Sequence, residues 1–272
     1  MVNGFKPETL REALEIRANH KVIPYGGGTD LMIDGKAEHP YLFLGKLPEL
    51  KAIYEDNGYI KIGASASFTQ VLDSELIPEI MKAAVAEIAA PAIRNAGTMA
   101  GNIGNGSAKA DSVLIEYVTD AKLKLESING TRIVDIQDFY LGRKKLDLQE
   151  TELITEIWMP SKGLENYYYK KVGARRALAI SRVSMAGILD IQGNRIQHFA
   201  VGFGAISDTV LRFKDLEQMI VGKEIAEIKE TKASIIKAYG ERINPTKGRV
   251  SSEYRKKVCL NLLNDFFESK GI

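Results

Sequence analysis

Two glycine-rich segments in the first half of the chain constrain its fold more than any other feature. The first runs Gly26-Gly27-Gly28-Thr29-Asp30 and directly follows a short apolar stretch. The second, residues 93–111, carries four glycines and few large side chains. Because so few large side chains cannot build much core, this second segment is predicted to be a long ordered loop wrapped round something, or disordered.

The first glycine segment has the properties of an anion-binding loop. Consecutive glycines free the backbone for positive φ and for close approach to a ligand, and their N–H groups can converge on an anion. Thr29 adds a hydroxyl, and no Lys or Arg lies within the loop. An anion here would therefore be held by amides and a helix dipole. The alternative is a tight surface turn, which is the commoner meaning of an isolated run of glycines.

The second segment offers similar chemistry and makes that alternative less favourable. Thr98 supplies a hydroxyl, Asn102 supplies an amide, and the small residues between them allow close approach. Asp111, at its end, could accept hydrogen bonds from sugar hydroxyls. A flexible linker is the alternative, but linkers seldom contain Met99 and Ile103. Neither segment matches a P-loop or the Rossmann G-x-G-x-x-G pattern.

Composition excludes several classes of protein. The chain has 272 residues, enough for one large or two small domains. Its 37 basic and 35 acidic residues give a formal charge of +2, unlike a dedicated nucleic-acid binder. With one cysteine and three histidines, it cannot hold a disulfide, a Cys-rich zinc site or an iron–sulfur cluster. Any metal chemistry would therefore lie elsewhere or rest on carboxylates, and we predict no metal site in this chain.

The N-terminus is polar, and no apolar stretch approaches the roughly 20 residues of a membrane span. We therefore expect a cytoplasmic protein without a signal peptide or a membrane segment.

Periodicity and turn residues predict the secondary structure. A capping box at Thr9 and Glu12 begins the first helix, and Pro91 is expected to end a helix over 77–89. Asn129-Gly130 predicts a type I′ hairpin between strands 121–126 and 131–135. Further strands are predicted at 22–25, 41–44, 59–63, 153–159, 167–172, 181–191 and 195–203. Further helices are predicted at 68–72, 112–118, 225–239 and 251–269.

The last helix shows Tyr254, Val258, Leu262 and Phe266 at i, i+4 spacing, which predicts an apolar face. A domain boundary is predicted near 160–163. The basic run 170–176 is typical of a solvated strand end.

Both glycine segments together carry a family resemblance. Residues 25–31, YGGGTDL, combined with residues 93–103, IRNAGTMAGNI, closely resemble the FAD-binding medium subunit of molybdenum hydroxylases. This family includes the xanthine, carbon monoxide and nicotinate dehydrogenases, and the resemblance covers the whole chain. Two departures stand out: Ala100 replaces a usual glycine, and residues 107–111 read SAKAD where the family often has Ser-Pro-x-Ser-Asp.

The resemblance implies an α+β fold. It would comprise a two-lobed FAD-binding domain of the p-cresol methylhydroxylase type over residues 1–162, split near residue 55. A small C-terminal α+β domain of the CO dehydrogenase flavoprotein type, with an antiparallel sheet and helices, would follow over 163–272.

The resemblance also implies the FAD contacts. Two groups of residues would cradle the pyrophosphate from opposite sides: Gly26, Gly27, Gly28, Thr29 and Asp30, and then Thr98, Ala100, Gly101 and Asn102. Asp111 would lie near the sugar or ribityl hydroxyls, and Ile154 and Lys171 close to the flavin. The basic run 170–176 also resembles a family segment, so its alternative to a solvated strand end is a contact with the flavin or with an acidic electron acceptor. Tyr25, Gly97 and Ser107 complete the expected cofactor-binding set, and no acid–base or nucleophilic catalytic residue is identified.

By the same resemblance, the chain would be the FAD-carrying subunit of a multi-subunit oxidoreductase. A small iron–sulfur subunit and a large molybdopterin subunit would be its partners, and electrons would leave through FAD to NAD or another acceptor. Two alternatives stay open: a stand-alone flavin oxidoreductase of the same fold, and a nucleotide-binding module without redox activity.

Overall fold

A computed structural model describes residues 3–34, 38–175 and 178–272, and the contacts divide the chain into two units. The first unit comprises Met1–Pro78, Ile88–Ser107 and Asp120–Ser161. The second comprises Glu79–Glu87, Ala108–Thr119 and Lys162–Ile272. The second unit therefore includes two short segments from the N-terminal half of the chain as well as its C-terminal part.

The helices and strands follow in chain order. The helices are α1 (Leu10–Asn19), α2 (Leu31–Asp34), α3 (Phe68–Asp73), α4 (Glu79–Ala86), α5 (Pro91–Ala96), α6 (Met99–Gly104), α7 (Asp111–Val118), α8 (Ile136–Phe139), α9 (Lys214–Gln218), α10 (Ile225–Arg242) and α11 (Ser252–Ser269), with a 3-10 turn at Pro48–Leu50. The strands are β1 (Gly4–Phe5), β2 (Ile23–Tyr25), β3 (Tyr41–Phe43), β4 (Ile53–Asp56), β5 (Tyr59–Gly63), β6 (Lys122–Ser127), β7 (Gly130–Asp135), β8 (Tyr140–Gly142), β9 (Lys145–Leu146), β10 (Leu153–Pro160), β11 (Tyr167–Val172), β12 (Val183–Gln192), β13 (Arg195–Gly204) and β14 (Leu211–Arg212).

The first unit contains two main sheets. A parallel three-stranded sheet has the order β1-β3-β2, and an antiparallel five-stranded sheet has the order β4-β5-β10-β6-β7. Buried apolar residues of α1, β3 and the following turn, including Ala13, Leu42 and Leu47, form a core cluster. Strands β8 and β9 form a separate small hairpin.

Residues 93–111 are largely helical, so the prediction of a loop or a disordered segment is wrong. Pro91 is the first residue of α5 rather than the end of the preceding helix, which stops at Ala86. Proline is favoured at a first helical position because its missing N–H would have had no partner there. Thr98 caps α6 by accepting a hydrogen bond from Gly101 N–H at 3.1 Å.

The second unit is an antiparallel sheet of order β11-β12-β13-β14 with helices on both faces. A Cβ at Gly202 of β13 would meet Leu114 and Val118 of α7, while one at Gly187 of β12 would meet Phe266 of α11. Covered on both faces, β12 and β13 lack the alternation of buried and exposed residues that half-buried strands show.

The apolar face of α11 is offset by one residue from the predicted stripe. Tyr254 is 45% exposed, whereas Cys259 and Leu263 are fully buried. Phe266 is buried as predicted and stacks with Phe199 of β13. Burial raises the pKa of the Cys259 thiol to about 12, so this cysteine is an inert packing residue.

The hairpin β6–β7 is confirmed, but its turn type is not. Its two loop residues are Ile128 and Asn129, and neither has a positive φ, as a type I′ turn requires. The turn lies one residue earlier than predicted because Ser127 Oγ accepts the Asn129 N–H at 3.2 Å. Gly130, at φ +150°, opens β7.

Candidate functional site

The first glycine loop joins the end of β2 to the start of α2. Tyr25 packs against the rings of Tyr41 and Phe43 at centroid distances of 5.3 and 4.9 Å, which fixes where the loop begins. Gly28 has φ +71°, and a Cβ there would lie 2.0 Å from the Tyr25 hydroxyl oxygen. This position therefore requires glycine on both conformational and steric grounds.

The N–H groups of Gly26, Gly27, Gly28, Thr29 and Asp30 donate to no other group in the part of the chain that the structure describes. The loop carbonyls, by contrast, are engaged in the start of α2, since Gly28 C=O accepts from Met32 N–H at 2.9 Å. A run of amides without internal acceptors is suited to binding an anion.

In the second glycine segment, the N–H groups at the start of α6 are occupied. Met99 N–H donates to Ala66 C=O at 3.1 Å, Ala100 N–H to Ala64 C=O at 3.2 Å, and Gly101 N–H to Thr98 Oγ1. The start of α6 is therefore held by internal hydrogen bonds, whereas the consecutive N–H groups of the first loop are available to a ligand. The sequence did not reveal this asymmetry, because both segments share the same small and hydroxylated residues.

The two segments touch through their backbones. A Cβ at Gly27 would lie 1.7 Å from the Ala96 carbonyl oxygen, and one at Gly26 would lie 2.5 Å from Thr98 Oγ1. The side chain of Asn105 also donates to Asp30 Oδ2 at 2.9 Å. The structure thus brings the two predicted segments together, and glycine at position 27 is required by the other loop as well as by any ligand.

Ile154 lies beside this arrangement within the first unit. It is 7% exposed and precedes a β-bulge between Ile154 and Glu156 in β10. The C=O of the bulged residue Thr155 accepts from Ala64 N–H at 2.9 Å, and Ala64 C=O in turn accepts from Ala100 N–H. A hydrogen-bonded chain therefore connects β10 to α6. Ser107, half-buried, ends this part of the first unit.

Asp111 and Lys171, predicted separately, form a buried ion pair in the second unit. Lys171 Nζ donates to Asp111 Oδ2 at 2.7 Å and to the C=O of Glu87 at 2.9 Å. The side chain of Lys171 is 7% exposed and that of Asp111 is 6% exposed, so Lys171 is not part of a solvated strand end. Ser181 Oγ donates to the other oxygen, Asp111 Oδ1, at 2.6 Å.

The surroundings of this pair are polar and partly buried. The hydroxyl of Tyr169 is buried, and burial together with the negative charges of Asp111 and Glu87 raises the pKa of Tyr169. Burial also raises the pKa of the Glu87 carboxyl. Of the rest of the basic run, Lys170 and Arg175 are exposed, and Arg176 lies outside the described residues.

Glu116 is an unusual residue of α7. Its side chain is fully buried, and neither carboxyl oxygen has a hydrogen-bond partner within residues 3–34, 38–175 and 178–272. Burial raises its pKa from 4.5 to about 8, so the carboxyl is protonated at neutral pH. Sequence reasoning treated this position only as part of an apolar helix.

Among the described residues, no three His, Cys, Asp or Glu side chains lie close enough together to hold a metal ion. No helix in that same part of the chain combines the length and apolar character needed to cross a membrane.

Two residues of these clusters were missed by sequence reasoning. Asn105 lies within the second glycine segment, so its position beside the predicted site was a usable signal. Ser181 offered no signal, because its contact with Asp111 joins residues 70 positions apart.

Comparison with protein families covers nearly the whole chain. Residues 1–162 match the FAD binding domain in molybdopterin dehydrogenase, and residues 167–269 match the CO dehydrogenase flavoprotein C-terminal domain.

Curated relatives agree with these matches. The nicotinate dehydrogenase FAD-subunit of Eubacterium barkeri is 29% identical, with 97% of this chain and 94% of the relative covered. The xanthine dehydrogenase FAD-binding subunit of Escherichia coli O157:H7 is 30% identical, with 77% of this chain and 76% of the relative covered.

Solved structures show the same fold. Carbon monoxide dehydrogenase from Hydrogenophaga pseudoflava aligns with a TM-score of 0.89 at 22% identity, covering 97% of this chain and 94% of that one. Quinoline 2-oxidoreductase from Pseudomonas putida 86 aligns with a TM-score of 0.88 at 21% identity, covering 99% and 96%. The expected fold class, the FAD-binding domain and the assignment to an oxidoreductase subunit are confirmed. The chain therefore belongs to the family of FAD-binding medium subunits of molybdenum hydroxylases.

Proposed function

We propose that this chain carries FAD within a multi-subunit, xanthine dehydrogenase-like molybdenum hydroxylase. Electrons would arrive from iron–sulfur clusters on a partner and leave to NAD or another acceptor. The first glycine loop carries the proposal, because its consecutive N–H groups have no acceptor among the described residues and its backbone lies against the second segment. The names of the relatives, FAD subunits of nicotinate and xanthine dehydrogenases, support the same assignment.

The residues present fit an FAD pyrophosphate. The first loop supplies amide donors and the Thr29 hydroxyl without a competing cation, and close approach is possible because a glycine has no Cβ. The second segment would line the opposite side of the pyrophosphate. We propose the following binding set: Tyr25, Gly26, Gly27, Gly28, Thr29, Asp30, Gly97, Thr98, Ala100, Gly101, Asn102, Ser107, Asp111, Ile154 and Lys171.

This chain's own residues bind and orient the cofactor, and the flavin, when bound, supplies the redox chemistry. FAD can exchange electrons singly or in pairs. The chain's single cysteine is buried and its thiol pKa is raised, which leaves it poorly suited to ligate iron. We therefore assign the iron–sulfur clusters to a small partner subunit and molybdopterin to a large one.

The proposed domain division is residues 1–162 for FAD binding, with two lobes meeting near residue 55, and residues 163–272 for the C-terminal domain. A cytoplasmic location and the absence of nucleic-acid binding stay predictions from the sequence.

Tagged purification tests the multi-subunit assignment. The full-length chain carries the affinity tag and is expressed together with its neighbouring genes. We expect two further chains to co-purify with it, together with iron and molybdenum. N-heterocyclic substrates should reduce the flavin, seen as bleaching of its absorbance, only in that complex. A chain that is reduced by substrate alone, without partners or metals, would instead be the stand-alone flavin oxidoreductase.

A further inference from the structure

The carboxylate of Asp111 accepts hydrogen bonds from two other segments of the second unit. Asp111 is the first residue of α7, Lys171 lies in β11, and Ser181 lies just before β12. Lys171 donates to one carboxylate oxygen at 2.7 Å and Ser181 to the other at 2.6 Å. Within the described residues, Oδ2 of Asp111 therefore has Lys171 as a donor and Oδ1 has Ser181.

These donors leave the carboxylate with further capacity. A carboxylate has about four lone-pair sites. Lys171 and Ser181 occupy two of them, and even with the neighbouring Tyr169 hydroxyl at a third, one site is left for a further donor. Short hydrogen bonds from two directions hold the group in one rotamer. A hydroxyl donor approaching the remaining sites would thus meet an acceptor that is already oriented.

We propose that Ser181 is a positioning residue for FAD binding and that it acts by orienting Asp111 toward the cofactor's hydroxyl groups. The proposal rests on the assignment of Asp111 as an FAD contact made above. Ser181 is itself 3% exposed and lies in the second unit. It acts through Asp111 alone and supplies no contact to the flavin.

Ser181 is a cleaner probe than either charged partner. Replacing Asp111 or Lys171 leaves the other as an unpaired buried charge, which is strongly destabilising in its own right. The Asp111→Ala variant is therefore expected to lose stability as well as FAD affinity. Replacing Ser181 removes one neutral donor and leaves the Asp111–Lys171 pair intact.

The chain offers a matched control. Ser184, in β12, is 1% exposed, and its Oγ has no hydrogen-bond partner in the part of the chain that the structure describes. Ser184→Ala therefore removes a hydroxyl of similar burial without touching Asp111. Ser181→Thr keeps a hydroxyl at the tested position and serves as the conservative variant.

The test is a titration of the full-length apo chain with FAD, with the melting temperature of the apo chain as a second readout. We expect Ser181→Ala to weaken FAD binding about tenfold, since a hydrogen bond to a charged group has that order of effect. The dissociation constant of Ser181→Thr for FAD should stay within about threefold of the wild-type value, and that of Ser184→Ala should equal the wild-type value. In an Asp111→Asn background, Ser181→Ala should have little further effect, because the two residues act as one unit.

Three results would overturn the proposal. The first is a lower melting temperature for Ser181→Ala with an unchanged dissociation constant, which is the result for a purely structural serine. The second is additive losses of affinity in the double variant. The third is an equal loss in Ser184→Ala. If Asp111→Asn binds no FAD or does not fold, the comparison of Ser181→Ala, Ser181→Thr and Ser184→Ala decides. A wild-type chain that binds no FAD refutes the proposed function itself, which is a separate outcome.

Discussion

The buried carboxyl of Glu116 makes the stability of the chain depend on pH in a direction that can be worked out. Burial raises its pKa from 4.5 to about 8 in the folded chain. Between these values the folded state holds a proton that the unfolded state has released. Stability therefore falls as pH rises through this range and levels off above about 8.

The size of the effect follows from the same two values. At about 1.4 kcal/mol per pH unit, the interval from 4.5 to about 8 corresponds to roughly 5 kcal/mol of unfolding free energy. This is a large part of the total stability of a typical domain, which is about 5–15 kcal/mol. Glu116→Gln removes the ionisation while keeping the shape of the side chain.

Urea unfolding followed by circular dichroism at about pH 4.5, 6.5 and 8.5, which together cover the range over which linkage acts, measures the difference. We expect Glu116→Gln to be close to wild type at the lowest pH and increasingly more stable at higher pH. Glu165→Gln, at an exposed position of the second unit, is the control and should follow wild type throughout. Parallel pH profiles for wild type and Glu116→Gln would refute the reasoning.

Three further experiments test the packing of the fold and the loop. Gly27→Ala should abolish FAD retention, measured as flavin content, because its Cβ would lie 1.7 Å from a backbone oxygen. A Cβ at Gly104 would have nothing within 4 Å, so Gly104→Ala should keep FAD. In thermal unfolding it should also gain up to about 1 kcal/mol of helix stability. Leu263→Ala should lower the free energy of unfolding, measured with denaturant, by about 2–5 kcal/mol because Leu263 is buried. Tyr254→Ala, at an exposed position, should lower it by less than about 0.5 kcal/mol. Similar losses in the two variants would contradict the observed buried face of α11. Cys259 should react with a thiol reagent only after unfolding, and rapid modification of the native chain would contradict its burial.

Local chemistry made much of the fold predictable from the sequence. Thr9 does cap the first helix, accepting the Glu12 N–H at 3.1 Å. Three of the four strands of the second unit, β11, β12 and β13, were also predicted, with Gly193-Asn194 marking the turn between β12 and β13, whereas the two-residue strand β14 was not. The pair of glycine segments was sufficient to indicate the family, since each lies in a distinctive sequence context.

The failures have a common physical origin in contacts between distant residues. Gly101 and Gly104 weakened the helical pattern of α6, yet the helix is fixed by the Thr98 cap and by hydrogen bonds from Met99 and Ala100 to a segment more than 30 residues earlier. The offset of α11 reflects which side of the helix the sheet covers, and i, i+4 spacing alone leaves that choice open.

The candidate site shows the same limit. Sequence reasoning named both Asp111 and Lys171, but no local pattern indicates that they pair with each other and with Ser181. It also gave both glycine segments the same role, whereas the five consecutive N–H groups of the first loop have no acceptor in the described part of the chain and those of Met99, Ala100 and Gly101 in the second segment have one.

The central claim is that this chain binds FAD and that the first glycine loop holds it. Titration of the purified full-length apo chain with FAD, followed by flavin fluorescence, tests this most directly when Gly27→Ala and Gly104→Ala are titrated beside wild type. The account predicts one FAD for each wild-type and Gly104→Ala chain and no retained FAD in Gly27→Ala. A wild-type chain that binds no FAD, or a Gly27→Ala chain that binds it as tightly as wild type, would contradict the account.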